Sequence, residues 1–266
     1  MLYGAIIGDI VGSRFEFDRS PKSKHFSFFD PRCNYTDDTV MTIAVAIAMI
    51  NSKSNDEITP NLIKTVKHFG RKYPYAGYGS AFMGWLMDND SNPYNSWGNG
   101  SAMRCSIAGW LYDDYNLTLE RAKQTAEITH NHPEGIKGAQ ATAAVIYLAR
   151  NGVSKEEIKR TIIQDFGYDL SRTCDEISPT YRHVESCQET VPQAITCFLE
   201  GTDFEDVIRN CIYIGGDTDT LGAIAGSMAE AYFGVPDEMK RECKRYLDLF
   251  LLKALNDIES NKIGVT

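Results

Sequence analysis

The 266-residue chain has no run of about 18 apolar residues, so no stretch of it reads as membrane-spanning. Positive charge is scarce: 27 Lys and Arg stand against 36 Asp and Glu, a formal net charge of -9 at pH 7. That balance excludes non-specific binding to nucleic acid or to an anionic membrane surface, since both need surplus cations. A polyanionic substrate would have to be met by local donors. No CxxC pair occurs, and the seven cysteines (Cys33, Cys105, Cys174, Cys187, Cys197, Cys211, Cys243) are odd in number and scattered. Free thiols in a reducing compartment fit that pattern better than disulfides or zinc. The opening "MLYGAIIGDIVGSRF" lacks a basic start and a continuous apolar segment, so no signal peptide is read and a cytoplasmic location is expected. Neither a low-complexity tract nor a Gly-, Ser- or Pro-rich linker divides the chain, which predicts one domain over residues 1–266.

Strand-like alternation is also scarce, and helical spacing dominates. "EITPNLIKTVKHFGRKY", "LERAKQTAEITH", "GAQATAAVIYLARNG", "TVPQAITCFLEG", "FEDVIRNCIYIGG" and "EMKRECKRYLDLFLLKAL" place apolar residues three and four apart. Thr118 and Asp203 read as helix starts, Asn151-Gly152 and Gly201 as ends, and Pro236 precedes the last helix. An all-α chain of roughly ten to twelve helices is predicted. Only residues 165–189 look irregular, as a surface excursion of the kind that borders sites.

Two stretches carry the chemistry. "NYTDDTVMTIAVAIAMI" sets Asp37 and Asp38 ahead of an apolar run, and "GGDTDTLGAIAGSMAEA" sets Asp217 and Asp219 ahead of a helix of small residues. One such head is explained by capping and the helix dipole. Two heads, each with paired carboxylates and threonines before a helix that reads as buried, exceed what capping requires, because buried charges must be paired or neutralised. A hard divalent cation is the economical partner, and two clusters suit two ions. Gly4, Gly8 and Gly12, four apart, together with Gly222, Ala223, Ala225, Gly226 and Ala229, would let helices approach closely enough to bring the heads together. A third stretch, "NSWGNGSAMR", offers Ser96, Gly98, Asn99 and Gly100 as a glycine-rich helix start able to cradle an anion, or else an ordinary turn capped by Asn99. Trp97 is a candidate for stacking on a base or ribose, and Arg104 reads as a structural anchor.

"GAIIGDIVGSRFEF", "YTDDTVMTIAVA", "SWGNGSAMR", "THNHPEGIKGA" and "GGDTDTLGAIAGSMAEA", in that order, resemble the ADP-ribosylglycohydrolases along nearly the whole chain. The resemblance implies an all-α orthogonal multi-helix bundle with a central binuclear metal cleft. It implies two Mg²⁺ ions, with Mn²⁺ as a substitute, held by Thr36, Asp37, Asp38, Asp217, Asp219 and Thr220. The implied reaction is hydrolysis of the bond between C1 of the distal ribose of ADP-ribose and an acceptor, foremost ADP-ribosyl-arginine on protein. Serine, a nucleic-acid base and O-acetyl-ADP-ribose are the other acceptors. Asp37, Asp38, Asp217, Asp219 and a mobile-loop glutamate, here Glu16, are the implied catalytic group. His130 is an implied diphosphate contact beside Ser96, Trp97, Gly98, Asn99 and Gly100, with His132 behind it. Two competing readings are a crystallin-like or ADP-ribose-binding member without turnover, which the six intact oxygen ligands oppose, and a strand-borne acidic loop at "CIYIGGDTDTLG", which the lack of other strand runs opposes.

Overall fold

The computed structural model describes residues 1–260, and residues 261–266 of the domain expected over 1–266 lie outside it. In chain order the elements are α1 (Tyr3–Gly12), a 3₁₀ turn (Ser13–Phe15), α2 (Asp37–Asn51), α3 (Asn55–Lys72), α4 (Ser80–Met87), α5 (Gly100–Met103), α6 (Ala108–Leu111), α7 (Tyr115–Glu127) and α8 (Pro133–Arg150). They continue with α9 (Lys155–Phe166), α10 (Cys174–Ile177), α11 (Cys187–Glu200), α12 (Phe204–Ile214), α13 (Thr218–Phe233), α14 (Asp237–Cys243) and α15 (Leu249–Ser260). The described residues are thus all-α, and their one β feature is an isolated antiparallel bridge between Gly98 and Ser186. No helix among them is long and apolar enough to cross a membrane.

At the centre α1 lies against α13, and both are buried: every residue of α1, and Thr218 through Glu230 of α13. The glycine stripe is what lets them meet. A Cβ on Gly8 would stand 1.9 Å from the Gly222 carbonyl oxygen, one on Gly4 2.1 Å from that of Gly226, and one on Gly12 2.3 Å from that of Thr218. These are backbone-to-backbone contacts that no side chain could replace. Glu230 of α13 accepts the Gly4 amide at 2.8 Å, supplying from across the interface the cap that Leu2 cannot. Ile6, Ile7, Ile10 and Val11 face the main core with Val40, Met41 and Ile43 of α2 and Leu221, Ile224 and Met228 of α13.

Three sequence expectations need correction. Among the described residues there are fifteen α-helical elements rather than ten to twelve, because α5, α6 and α10 are single turns too short to show a period. Helix α7 starts at Tyr115, three residues before Thr118: Asp114 accepts the Leu117 amide at 2.7 Å, and Thr118 instead donates to the Asp114 carbonyl. The last expected helix is broken, since Asp248 accepts the Phe250 and Leu251 amides at 2.9 Å and starts α15 afresh.

The glycine contact gives a stability prediction. Gly8→Ala should lower the unfolding free energy by roughly 3 kcal/mol or more, as overpacking does when the obstacle is backbone. Gly84→Ala in α4, where nothing lies within 4 Å of an added methyl, should change it by less than about 1 kcal/mol. Urea unfolding of both variants is the measurement, and equal losses would contradict a contact-limited interface.

Candidate functional site

The two acidic heads meet. Thr36 begins α2, its Oγ1 accepting the Asp38 amide at 3.3 Å, and Asp37 donates its own amide to the Ala76 carbonyl at 2.9 Å. Gly215 and Gly216, at φ 74 and 82, take the left-handed turn that swings the chain from α12 into α13. Thr220, in the first turn of α13, then donates to Asp38 Oδ2 at 3.3 Å, so residues 182 positions apart in sequence share one oxygen. Around them opens a cleft of about 290 Å³ whose lining includes Glu16, Asp37, Asp38, Asp217, Asp219 and Thr220.

Asp9 of α1, which sequence reasoning missed, organises the first head. Fully buried, it accepts from the Thr36 amide at 2.9 Å, the Thr36 hydroxyl at 2.8 Å, the Thr39 amide at 3.0 Å and the Thr39 hydroxyl. A signal existed: Asp9 is the sole charge in an otherwise apolar helical stretch.

Burial is the largest influence on every carboxyl here. It holds Asp37 and Asp38 well above the usual range, with Asp219 adding to the effect, and it does the same to Asp219, with Asp217 adding. Asp9 is pushed up to about 6 despite its threonine donors, Asp217 to about 6, and Glu16 to about 8 by burial and the Asp219 charge, against the pull of His183 and Arg19. Asp38 Oδ1 is buried without any hydrogen-bond partner. An orphaned buried carboxylate oxygen in an all-oxygen donor set suits a hard divalent cation. Glu16, His183 and Asp217 also offer ligand atoms within 4.8 Å of one another.

Opposite the carboxylates lies the turn before α5. Ser96, Gly98, Asn99, Gly100 and His130 all line the cleft, but the cradle is narrower than expected. The Gly98 amide is taken by Ser96 Oγ at 3.1 Å and the Asn99 amide by the Glu185 carbonyl at 2.7 Å. Asn99 is no side-chain cap; its amide group donates to Asp217 Oδ2 at 2.6 Å and to Thr190 Oγ1 at 3.1 Å. Trp97 is 54% exposed, is not among the residues lining the cleft, and packs edge-on to His132 at 5.6 Å. The bridge to Ser186 fixes the backbone here, the Trp97 carbonyl accepting the Cys187 amide at 3.0 Å. His132 caps α8 by accepting the Glu134 amide at 3.1 Å. Arg104, expected as an anchor, is buried, lines the cleft, and donates to the Thr125 carbonyl and Thr129 Oγ1.

The irregular stretch borders the site as expected, but it also contributes His183 and Glu185, which no sequence pattern marked. His183 donates its amide to Asp18 Oδ1 at 2.9 Å, packs on Phe17 at 4.9 Å, and sets Nε2 3.2 Å from Glu185 Oε1. This strap therefore ties the Glu16 loop to the turn before α5.

A family model described as ADP-ribosylglycohydrolase matches residues 1–261. ADP-ribosylhydrolase ARH3 of Homo sapiens is 26% identical in an alignment covering 94% of this chain and 90% of that protein. ADP-ribosylarginine hydrolase Tri1 of Pseudomonas putida (strain GB-1) is 26% identical over 88% of this chain and 70% of its own. A solved structure described as an ADP-ribosylglycohydrolase-related protein complex matches with a TM-score of 0.67 at 23% identity, covering 96% of this chain and 95% of that one, a likeness of fold.

The raised carboxyls set a pH dependence for the cation-free protein. A carboxyl raised by folding holds its proton more tightly folded than unfolded, so its stabilisation is complete below the ordinary value and is lost as pH climbs through the folded one. For Asp9 and Asp217 that window runs from 3.8 to about 6, and for Glu16 from 4.5 to about 8. In a chelator, Tm should fall as pH rises across these windows, and Asp38→Asn should raise Tm at the alkaline end and flatten the slope. A Tm that climbs with pH across the same range would contradict the buried-charge description.

Proposed function

Because the chain belongs to the ADP-ribosylglycohydrolase family, we propose that it hydrolyses the bond between C1 of the distal ribose of ADP-ribose and an acceptor, with ADP-ribosyl-arginine on protein as the preferred substrate. The observation that carries this reading is the Thr220–Asp38 contact, which joins two acidic helix heads on one side of a cleft whose other side is a glycine-rich turn. Thr36, Asp37 and Asp38 from α2 and Asp217, Asp219 and Thr220 from α13 would hold two Mg²⁺ ions, with Mn²⁺ as a substitute. When bound, such ions offset the carboxylate charge and supply Lewis-acid polarisation.

The chain's own groups do the rest. Ser96, Gly98, Gly100 and His130 orient the diphosphate, Asn99 holds Asp217 in place, and Glu16 stands at the mouth on its loop. Asp37, Asp38, Asp217 and Asp219 surround the anomeric carbon with negative potential, which favours the positive charge that grows on the ribose as the bond breaks. A carboxylate of this group takes the proton of the attacking water.

The mouth supports a cationic acceptor. Glu16, Phe17 and Glu185 line it, and the chain's own Arg19 rests its guanidinium 5.2 Å from the Phe17 ring. The Phe17 ring thus already accepts a guanidinium, one whose charge also acts on the Glu16 carboxyl. We take the whole chain as one domain working in the cytoplasm, a placement supported by seven buried free thiols.

Release of ADP-ribose should require a divalent cation and should be measured on a panel of ADP-ribosyl-arginine, ADP-ribosyl-serine, ADP-ribosylated nucleic acid and O-acetyl-ADP-ribose, with the arginine conjugate fastest. Asp219→Asn should lower the rate by at least about a hundredfold. Glu185→Gln should raise KM for the arginine conjugate by about tenfold, the order expected when a charge-assisted hydrogen bond is lost. Full turnover in a chelator, or by Asp219→Asn, would remove the proposal.

A further inference from the structure

Arg104 is among the largest fully buried side chains in the protein, at 1% exposure, and its partners are neutral. One terminal nitrogen donates to the Thr125 carbonyl at 3.2 Å and to Thr129 Oγ1 at 2.6 Å, the Phe82 ring centroid lies 5.6 Å from the guanidinium carbon, and Nε has no partner. A guanidinium carries donors only, so the Thr129 oxygen is the acceptor in that pair. The hydroxyl then has one hydrogen to give, and the acceptor within reach is His130 Nδ1 at 2.7 Å.

A neutral imidazole that accepts at Nδ1 carries its hydrogen on Nε2. A second ring proton is opposed by burial first and by the Arg104 charge beside it, which hold His130 well below the usual histidine range. Nε2 faces the turn before α5: a Cβ on Gly100 would stand 3.2 Å from it and one on Gly98 3.5 Å, so the two glycines leave that nitrogen uncovered on the cleft side.

We propose that Arg104 and Thr129 are positioning residues that lock His130 as the Nε2–H tautomer, so that its hydrogen donates to a phosphoryl oxygen of the diphosphate lying along the Gly98–Gly100 turn. The identity of that ligand rests on the proposed function; the order Arg104 to Thr129 to His130 does not. Arg104 acts through its neighbours, fixing the hydroxyl and adding positive potential beside His130, and among the described residues no carboxylate is paired with it, although Asp37 acts on it across the cleft.

Long-range ¹H–¹⁵N correlation spectra of the full chain test the tautomer without any ligand. The expected signature at neutral pH is a bare Nδ1 and a protonated Nε2 for His130, assigned by its disappearance in His130→Gln. A protonated Nδ1, or an imidazolium, overturns the proposal. Calorimetry with ADP-ribose as the probe tests the consequence: Thr129→Val should weaken Kd about tenfold and shift the ring signals, and Thr129→Ser should restore both. Unchanged affinity in a folded Thr129→Val, no restoration by a folded Thr129→Ser, or absence of ADP-ribose binding by the wild type each overturns the donor role. Should Thr129→Val not fold, the wild-type spectrum and Thr129→Ser still decide. A wild type that binds ADP-ribose with the expected tautomer but releases none from any conjugate would remove the hydrolase reading and leave this one standing.

Discussion

The site depends on one helix acting as a ruler. Helix α1 touches α13 backbone to backbone through Gly4, Gly8 and Gly12, and the same helix holds the head of α2 through the Asp9 carboxylate. Each acidic head is therefore placed relative to α1, and through it relative to the other. Because the α1–α13 distance is set by main-chain atoms, no rotamer change can absorb an error in it, unlike a contact between long side chains. The register is fixed as well: Thr218 Oγ1 donates to the Gly12 carbonyl at 2.8 Å, pinning the start of α13 to the end of α1. The Thr220–Asp38 contact follows from these two attachments.

That geometry carries a standing electrostatic cost. Asp9, Asp38, Asp217 and Asp219 are buried within one cluster, and no lysine or arginine forms an ion pair with any of them among the described residues. A fold relieves such a cluster by hydrogen-bonding it, by protonating it, or by recruiting a cation. The first is used where it can be: Asp9 is satisfied by Thr36 and Thr39, and Asp217 by Asn99. Asp38 Oδ1 is left out of that scheme. A buried carboxylate oxygen left bare beside Asp9 and Asp217, which are hydrogen-bonded, marks where the protein's own donors stop and an external partner is needed.

How much of this was legible in the sequence follows from the range of each interaction. The acidic heads could be read because capping is local: a carboxylate pair before an apolar run declares itself within a few residues. The glycine stripe could be read for the same reason, through its four-residue period. Asp9 could be seen but not understood, since its partners lie 27 and 30 positions away. His183 and Glu185 were illegible because their placement comes from a strap held by Asp18, the Phe17 ring and the Asn99 amide, none of them nearby in sequence. Trp97's placement outside the cleft lining was hidden for a subtler reason. The residue sits between two cleft-lining residues, yet its carbonyl accepts the Cys187 amide beside the Gly98–Ser186 bridge and its ring lies against His132, contacts with residues distant in sequence. The starts at Asp114 and Asp248 show that an aspartate able to cap can set a helix boundary where apolar spacing alone places none.

Holding a diphosphate, as proposed above, sets a conflict for an acidic protein, and the division of the cleft offers a way to resolve it. Apart from Glu185, every carboxylate lining the cleft comes from α2, α13 or the Glu16 loop, whereas the turn before α5 offers a serine and two glycines, with His130, held neutral, beside them. Neutral donors bind an anion without demanding a counter-charge when the ligand is absent, so the empty turn needs no compensation from the nearby carboxylates. The one full positive charge on that side, Arg104, is kept beneath the surface of contact, where it polarises Thr129 and His130 but cannot swing across to neutralise Asp37. An exposed lysine in the same place would reach for those carboxylates and collapse the distinction between the two ends. Burying the cation and presenting its influence through a hydroxyl and an imidazole keeps a negative wall and a donor wall within one 290 Å³ cleft.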